Sequence, residues 1–286
     1  MIIDSHSHYF HHRFDSVSPC VFEKNGELGC VLADREELLF TLRDAGIVGC
    51  IEPSIGIDTI EKQQRLAESH PTFIRTAVGV HPTRCIHTGW KSRRELLRYA
   101  LHPSVVAIGE LGLDYHIPRK KQRRFWQRAW FLYQIKLAHR SSLPLVLHIR
   151  EADRDAVRIL KRNKRKLCGG VVHCFSGSLE NARDYVALGL SLGIGGKLLS
   201  DDDYGRELCD IVREIPLEHI LVETDAPYVI PDTWELPTSK SERKKLCNSS
   251  LILCAVIRKI AELKGVSEKE AEERIYENTV AIFSLK

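Results

Sequence analysis

The chain has 286 residues, of which 43% are hydrophobic and 28% are charged, a balance typical of a globular enzyme that excludes a disordered, collagen-like or coiled-coil chain. Lysine and arginine outnumber aspartate and glutamate by 42 to 38, so the net charge of +4 permits a polyanionic substrate without requiring one.

No apolar run approaches the roughly 20 residues of a membrane helix, and the N-terminus lacks a basic segment followed by a secretory apolar core. The nine cysteines include no Cys-x-x-Cys pair, which favours reduced thiols over disulfides or a zinc knuckle. We therefore expect a cytoplasmic protein that does not associate with membranes.

The short apolar run at residues 1–3 predicts a buried β-strand, and His6 and His8 follow at its polar end. Alternate side chains of an extended chain point to the same side, so these two imidazoles could share one cation. Residues 10–33 show no regular pattern and include Pro19 and Gly29. We interpret this segment as a long loop that could serve as a lid over a site.

Helices and short apolar strands alternate through the rest of the chain. Asp34 and Glu37 have the spacing of a capping box at the start of the first helix. Further helices are predicted at 59–68, 93–101, 122–139, 152–160 and 178–187, and in a segment that ends near 212. The intervening strands are predicted at 48–51, 74–80, 105–108, 145–147, 171–172, 190–194 and 220–222.

Together with the first strand, this pattern gives eight strands, and two closing helices follow at 249–263 and 268–283. The economical fold is a (β/α)8 TIM barrel. No linker divides the sequence, so residues 1–286 are expected to form one domain.

Six potential metal ligands stand at the ends of predicted strands. In a TIM barrel these ends open onto one face, where the active sites of this fold lie. Any one histidine alone would more often be a core residue, but imidazoles and carboxylates together suit divalent ions such as Zn²⁺ or Mn²⁺. The number is enough for two ions with a bridging carboxylate such as Glu110. The six are His6, His8, Glu110, His148, His173 and Asp225.

Six strings, five of which contain these candidate ligands, resemble the TatD family of metal-dependent hydrolases and occur in family order. The resemblance implies an amidohydrolase-type TIM barrel with two divalent ions (Mg²⁺, Mn²⁺ or Zn²⁺) and a deoxyribonuclease that removes nucleotides from a 3′ end. The strings are Asp4-Ser5-His6-Ser7-His8, Gly79-Val80-His81-Pro82, Gly109-Glu110-Leu111-Gly112-Leu113-Asp114-Tyr115, Leu147-His148-Ile149-Arg150, His173-Cys174-Phe175-Ser176-Gly177-Ser178 and Glu223-Thr224-Asp225-Ala226-Pro227.

Position by position, the resemblance implies that the six candidates hold the metals and that Asp225 and Glu110 are catalytic. Asp225 would also accept a proton from the attacking water. His81 and Arg150 match family positions near the substrate, where the fork of donors on Arg150 suits a phosphate. A salt bridge at the barrel rim is the alternative for Arg150.

Two further acidic residues have open roles. Asp114 could cap a turn or take part in catalysis, and Glu223 could either act in catalysis or support a ligating histidine. Asp4 is expected to orient a neighbour. Family members usually carry Asn-Glu-Pro after the last strand, but this chain has Asn248-Ser249-Ser250, which leaves the shape of that loop and the exact substrate open.

Two basic clusters are expected on the active face, where they could bind a nucleic-acid backbone. The run at 161–166 precedes a strand and is expected on the opposite face. Phe125, Trp126, Trp130 and Tyr133 follow the first basic cluster at helical spacings and are expected to pack in a helix core, although an exposed Trp126 could stack on a base. The two clusters are Arg119, Lys120, Lys121, Arg123 and Arg124, and Lys240, Arg243, Lys244 and Lys245.

The leading hypothesis is a phosphodiesterase that acts on DNA, single-stranded or at a 3′ end, with a metal-activated water and no obligate protein partner. An alternative keeps the metals but hydrolyses an ester or amide, such as that of an aminoacyl-tRNA, because two-metal geometry serves acyl and phosphoryl chemistry alike. A binding module without turnover is a third interpretation. It would predict a missing ligand, and none is missing from the set.

Overall fold

The computed structural model describes residues 1–24, 26–116, 121–231 and 244–285, without the side chains of 121 and 122. One sheet contains eight strands in chain order: β1 (Ile2–Asp4), β4 (Ile47–Pro53), β5 (Ile74–Val78), β6 (Val105–Asp114), β7 (Leu145–Arg150), β8 (Gly170–His173), β9 (Ser191–Ile194) and β10 (Ile220–Val222). A second sheet pairs β2 (Ser18–Lys24) with β3 (Glu27–Ala33).

The helices occupy the predicted intervals between the strands and after the last one. Their bounds are α1 (Arg35–Asp44), α2 (Ile57–Ser69), α3 (Arg93–Tyr99), α4 (Lys121–Ser141), α5 (Asp153–Arg162), α6 (Leu179–Ala187), α7 (Asp203–Glu214), α8 (Leu253–Lys264) and α9 (Glu268–Phe283). The expected capping box at α1 is present, because the Glu37 amide donates to Asp34 Oδ1 and the Asp34 amide donates to Glu37 Oε2, both at 3.0 Å.

The predicted (β/α)8 fold class is confirmed by strand order and by parallel pairing. Strands β1 and β4, β5 and β6, β6 and β7, β7 and β8, and β8 and β9 pair in parallel. The Ser5 amide also donates to the Val222 carbonyl oxygen at 3.0 Å, so the first and last barrel strands are neighbours. All eight predicted strands are therefore present.

The chain divides into two compact units, and the expected single domain stays a prediction. The first unit comprises residues 1–51 and 193–278, and the second comprises 52–192 and 279–286. Among the residues that the structure describes, no helix has the length and apolar character to cross a membrane.

In the first unit, the prediction of an irregular loop at 10–33 is wrong. A 3-10 helix at His12–Phe14 is followed by the antiparallel hairpin of β2 and β3. Val21 is fully buried against Leu246 and Ile252. The hairpin is stable because its apolar side chains have partners more than 200 residues later in the chain.

Backbone hydrogen bonds also join β2 to the segment that precedes α8. The Val21 amide donates to the Cys247 carbonyl oxygen and the Cys247 amide donates to the Pro19 carbonyl oxygen, both at 2.9 Å. The Ser249 hydroxyl donates to the Val21 carbonyl oxygen at 2.7 Å. Hydrogen bonds thus join the hairpin to residues 247–249.

In the second unit, glycine lets β6 and β7 approach closely. Gly112 pairs with His148 and has a φ of 145°. A Cβ atom at Gly112 would lie 2.1 Å from the His148 carbonyl oxygen, closer than van der Waals contact allows. Position 112 therefore requires glycine for both its conformation and its lack of a side chain.

The aromatic residues of α4 are only partly in the core. Trp130 is fully buried, as expected, and its ring lies 5.3 Å from that of Trp90. The ring of Trp126 lies 6.3 Å from that of Trp90. Phe125, however, is 62% exposed, so the expectation of core packing is wrong for this residue. The basic run ends in a 3-10 helix at Lys164–Lys166 that precedes β8, as predicted.

Candidate metal and catalytic site

In the first unit, three predicted ligands form a compact group, here called the first cluster: His6, His8 and Asp225. The Nε2 atoms of His6 and His8 are 3.2 Å apart. Asp225 Oδ1 lies 3.5 Å from His6 Nε2 and 3.2 Å from His8 Nε2. Both histidines are buried, and the Asp225 side chain is 19% exposed. One carboxylate oxygen and two ring nitrogens therefore surround a common point.

Backbone pairing between the ends of β1 and β10 builds this cluster. The Asp225 amide donates to the His6 carbonyl oxygen at 2.9 Å, and the His8 amide donates to the Ala226 carbonyl oxygen at 2.8 Å. Asp225 has a φ of 55°, a left-handed conformation that aspartate tolerates better than most residues. This turn directs the carboxylate toward the two imidazoles.

Asp4 supports the first cluster from within the protein, as expected. Its buried carboxylate accepts hydrogen bonds from the His6 amide at 3.1 Å, the Thr224 hydroxyl at 2.6 Å and the Ser250 hydroxyl at 2.6 Å. Burial raises the pKa of Asp4 to about 7, although these hydrogen bonds favour the ionised form. Asp4 thus holds residues next to two predicted ligands.

The residues that replace the usual Asn-Glu-Pro also support this region. Asn248 Nδ2 donates to the Thr224 carbonyl oxygen at 2.8 Å and to the Val229 carbonyl oxygen at 3.2 Å. The Ser250 amide donates to the Tyr9 hydroxyl at 2.8 Å. Residues 248–250 are therefore linked to the segment that carries Asp225, through the bonds of Asn248 and through the contact of Ser250 with Asp4.

In the second unit, a further group of predicted site residues, here called the second cluster, surrounds Glu110. Glu110 Oε1 lies 2.8 Å from His148 Nδ1, 2.8 Å from His173 Nε2 and 3.3 Å from His81 Nε2. His148 Nε2 lies 3.3 Å from Asp114 Oδ2. The members are His81, Glu110, Asp114, His148 and His173.

Strand register places these side chains together. In the parallel pair of β7 and β8, His148 stands directly opposite His173. Glu110 and Asp114 both belong to β6, and the Glu110 amide donates to the Ser54 carbonyl oxygen at 3.1 Å. The second cluster therefore follows from sheet geometry.

The charges of the second cluster favour an ionised Glu110. Burial alone would raise the pKa of this carboxyl, but the charges of His81 and His173 and the hydrogen bonds with His148 and His173 outweigh it and hold the pKa well below its usual range. Burial disfavours the charged form of His148, yet hydrogen bonds to Asp114 and Glu110 raise its pKa. The second cluster thus brings an ionised carboxylate into close contact with three imidazole rings.

Both clusters have the donor set of a divalent metal site. In each of the groups His6–His8–Asp225 and His81–Glu110–His148, three potential ligand atoms lie within 4.8 Å of one another. Imidazole nitrogens and carboxylate oxygens are the usual protein ligands of Zn²⁺ and Mn²⁺. The close approach of several lone-pair donors in each cluster fits a bound ion.

His81 and Asp114 occupy positions that the sequence left less defined. His81 was expected near the substrate, and it lies within the second cluster with its ring 4.3 Å from that of His148. Asp114 Oδ1 accepts from the His116 amide at 3.0 Å while Oδ2 faces His148. Asp114 thus caps a turn and contacts a predicted ligand at the same time.

Arg150 and Glu223 differ in exposure. The Arg150 side chain is exposed at the end of β7 and forms no salt bridge with any residue in the described ranges. Its charge contributes to the lowered pKa of Asp114, and the choice between a phosphate contact and a rim salt bridge stays a prediction. Glu223 is buried, and its charge contributes to the raised pKa of Asp4.

The two basic clusters lie partly outside the described residues. This applies to Arg119, Lys120, Lys240 and Arg243, and to the side chain of Lys121. Of the others, Arg124 places its guanidinium 4.2 Å from the centre of the Tyr115 ring. The Lys244 carbonyl oxygen accepts from Arg13 at 3.1 Å.

Tyr228 is a neighbour of the first cluster that sequence reasoning missed. Its amide donates to the Asp225 carbonyl oxygen at 2.8 Å, and its ring centre lies 6.4 Å from that of His8. In the sequence, the proximity of Tyr228 to the site is indicated by its position three residues after a predicted ligand and directly after Pro227. An aromatic ring fixed so close to Asp225 belongs to the surroundings of the site.

Comparisons with known proteins identify relatives of this chain. A family described as TatD related DNase matches residues 3–284. A protein of Pantoea vagans named 3′-5′ ssDNA/RNA exonuclease TatD is 36% identical over 256 residues, which cover 88% of this chain and 94% of that protein. An uncharacterized metal-dependent hydrolase of Bacillus subtilis, YabD, is 30% identical, with both chains covered completely.

A solved structure has the same fold over the full length. It is that of YJJV, a TatD homologue from Escherichia coli K12, which superimposes with a TM-score of 0.78 and 28% identity over 100% of this chain and 98% of that chain. A TatD family hydrolase from Entamoeba histolytica has a TM-score of 0.79 at 24% identity over 98% of this chain and 97% of that chain, and supports the fold alone.

Proposed function

Since this chain belongs to the family of TatD-related DNases, we propose that it removes nucleotides from the 3′ end of single-stranded DNA with two bound divalent ions. The chain is a metal-dependent hydrolase of phosphodiester bonds by its family. The polarity, the single-stranded substrate and the number of ions are the parts that we propose. The relatives named 3′-5′ ssDNA/RNA exonuclease support the first two.

One observation carries the assignment of the site: Asp225 Oδ1 lies within 3.5 Å of both His6 Nε2 and His8 Nε2 while the side chain stays partly exposed. Buried imidazoles would hold an ion, and a carboxylate beside it would remain accessible to substrate. His6, His8 and Asp225 would hold one ion, and Glu110, His148 and His173 would hold the other.

Divalent ions in such sites lower the pKa of bound water and neutralise charge on a reacting phosphate. The residues of the chain then have separate tasks. Asp225 accepts the proton of the attacking water, since its carboxylate is the accessible member of the first cluster. The exposed guanidinium of Arg150 offers two parallel donors to the phosphate. Asp114 fixes the orientation of His148 through its 3.3 Å contact.

The test is hydrolysis of single-stranded DNA labelled at the 5′ end, which reports shortening from the 3′ end, with and without Mg²⁺ or Mn²⁺. The wild type should give a ladder of shorter products only when metal is present. Asp225→Asn should reduce the rate by about 10²–10⁴-fold, the usual contribution of a general base. The matched control is Asp201→Asn, because the Asp201 side chain is 91% exposed.

Absence of cleavage by the wild type with either metal would disprove the nuclease assignment. Equal rates for wild type and Asp225→Asn would disprove the role of Asp225. Internal cleavage would contradict the 3′ polarity. The same holds if label is released from a 3′-labelled strand no faster than from a 5′-labelled strand.

A further inference from the structure

Tyr228 presents an exposed aromatic ring next to the first cluster. Tyr228 is 41% exposed, although it lies next to the buried His8. The turn that carries it is fixed, because the Tyr228 amide donates to the Asp225 carbonyl oxygen at 2.8 Å. The ring therefore has a defined position relative to the Asp225 carboxylate.

His11, which follows β1, contacts the same ring. The Tyr228 hydroxyl is 3.1 Å from His11 Nε2, and the two ring centres are 5.6 Å apart at an interplanar angle of 69°. The ring of His12 lies 4.1 Å from that of His11. We refer to His11, His12 and Tyr228 as the aromatic rim.

The aromatic rim is anchored by backbone contacts. The His11 amide donates to the His8 carbonyl oxygen at 2.9 Å, and Arg35 Nη2 donates to the His11 carbonyl oxygen at 3.2 Å. The Arg13 amide donates to His11 Nδ1 at 3.2 Å. These contacts hold His11 in place, so less conformational entropy is lost there when a flat ligand binds.

Every nucleobase has an aromatic face, so aromatic side chains bind bases without selecting a sequence. When a phosphodiester lies at Asp225, the base of the attached nucleotide lies within one nucleotide's length of that carboxylate. The base is then also close to Tyr228. An exposed ring beside a hydrolytic carboxylate can thus fix the position of the bond to be cleaved. The phosphate contacts proposed for Arg150 would leave the base without a partner.

We propose that Tyr228, held by His11, stacks on the base of the 3′-terminal nucleotide, which hydrolysis of its phosphodiester bond releases. This inference rests on the proposed nuclease function. It makes Tyr228 a positioning residue that aligns the substrate without touching the reacting atoms. Stacking also predicts a preference for strands whose terminal base is free to unpair.

The test compares Tyr228→Ala with Tyr228→Phe on two oligonucleotides, one complete and one that lacks the base of its 3′-terminal nucleotide. Tyr228→Ala should raise KM for the complete strand about 5- to 100-fold, the equivalent of one lost stacking contact, with a smaller change in kcat. Tyr228→Phe keeps the ring but loses the hydroxyl contact with His11, so its KM should rise much less than that of Tyr228→Ala. On the abasic strand, wild type and Tyr228→Ala should have equal KM.

A binding measurement separates this inference from the proposed function. Anisotropy of both oligonucleotides, made with a hydrolysis-resistant phosphorothioate linkage at the 3′ end, is recorded with Mg²⁺ present. Loss of affinity in Tyr228→Ala for the complete strand alone would support stacking even if the wild type proved to have no nuclease activity. Equal losses on both strands, or no loss on either, would overturn the proposal while leaving the cleavage result intact.

Discussion

Ser250 donates its hydroxyl to the Asp4 carboxylate at 2.6 Å, although the two residues are 246 positions apart in the chain. The same carboxylate accepts the His6 amide at 3.1 Å. A residue of the loop after β10 is thus linked through one buried carboxylate to the backbone of a predicted metal ligand. The substituted Asn-Ser-Ser sequence therefore has a structural task beside the first cluster.

Replacing Ser250 by alanine should destabilise the protein. The change removes one donor from a buried carboxylate and an interaction partner from the Tyr9 hydroxyl, which is 2.7 Å away. We expect the free energy of unfolding to fall by about 1–3 kcal/mol, measured by urea denaturation. The control is Ser69→Ala, whose exposed hydroxyl donates to the Arg65 carbonyl oxygen and whose loss should change stability by less than about 0.5 kcal/mol. Equal effects of the two substitutions would contradict the importance of the Asp4 contact.

Gly112→Ala should be more damaging than Gly89→Ala. An added Cβ at Gly112 would lie 2.1 Å from the His148 carbonyl oxygen, whereas one at Gly89 would have no neighbour within 4 Å. The first substitution should lower the free energy of unfolding by about 1–3 kcal/mol or more through overpacking and should reduce nuclease activity by shifting His148. Thermal unfolding and cleavage rates measure both effects. A Gly112→Ala variant with wild-type stability would show that β6 and β7 can separate without cost.

Metal content should depend on each cluster separately. If each cluster holds its own ion, the double variant His6→Ala with His8→Ala should lose about one ion per chain. The double variant His148→Ala with His173→Ala should lose about one ion from the second cluster. Elemental analysis by mass spectrometry after dialysis measures the content, and nuclease activity should fall in parallel. His87→Ala, at an exposed histidine, should retain both ions. Full occupancy in either double variant would contradict the ligand assignment.

Asp155 should contribute to stability in a pH-dependent way. Burial alone would raise its pKa, but hydrogen bonds from Tyr115 and Arg128 outweigh burial and lower the pKa. A carboxyl whose pKa is lower in the folded state stabilises the protein above its unfolded pKa of about 3.9 and loses this contribution as pH falls through the folded value. The stability advantage of wild type over Asp155→Asn should therefore be full near neutral pH and shrink below about pH 4.

Urea midpoints of both proteins at several pH values measure this difference. The matched variant Asp44→Asn, at an exposed position, should show a nearly constant difference from wild type. A wild-type advantage that grows on acidification would reverse the expected sign and exclude the proposed cause.

The strands and predicted ligands were accessible from sequence because both depend on local patterns. Short apolar runs that end in His148 and His173 predict neighbouring parallel strands, and their direct register then follows from sheet geometry. The hairpin was missed because Pro19 and Gly29 interrupt its alternation and because Leu246, its packing partner, is distant in the chain. The sequence does not predict the place of Tyr228, because this depends on the turn after Asp225. The conformation of a turn leaves no hydrophobic periodicity in the sequence.

The hydrogen bonds between β2 and residues 247–249 limit where residues can be inserted into the hairpin. At its tip, near Gly26, extra residues would extend into solvent, as insertions at exposed turns usually do. Within β2, one inserted residue would exchange the two faces of the strand. Val21 would then turn away from Leu246 and Ile252 and lose its hydrogen bonds to Cys247 and Ser249. Natural length variation in this hairpin should accordingly occur at its tip and spare its strands.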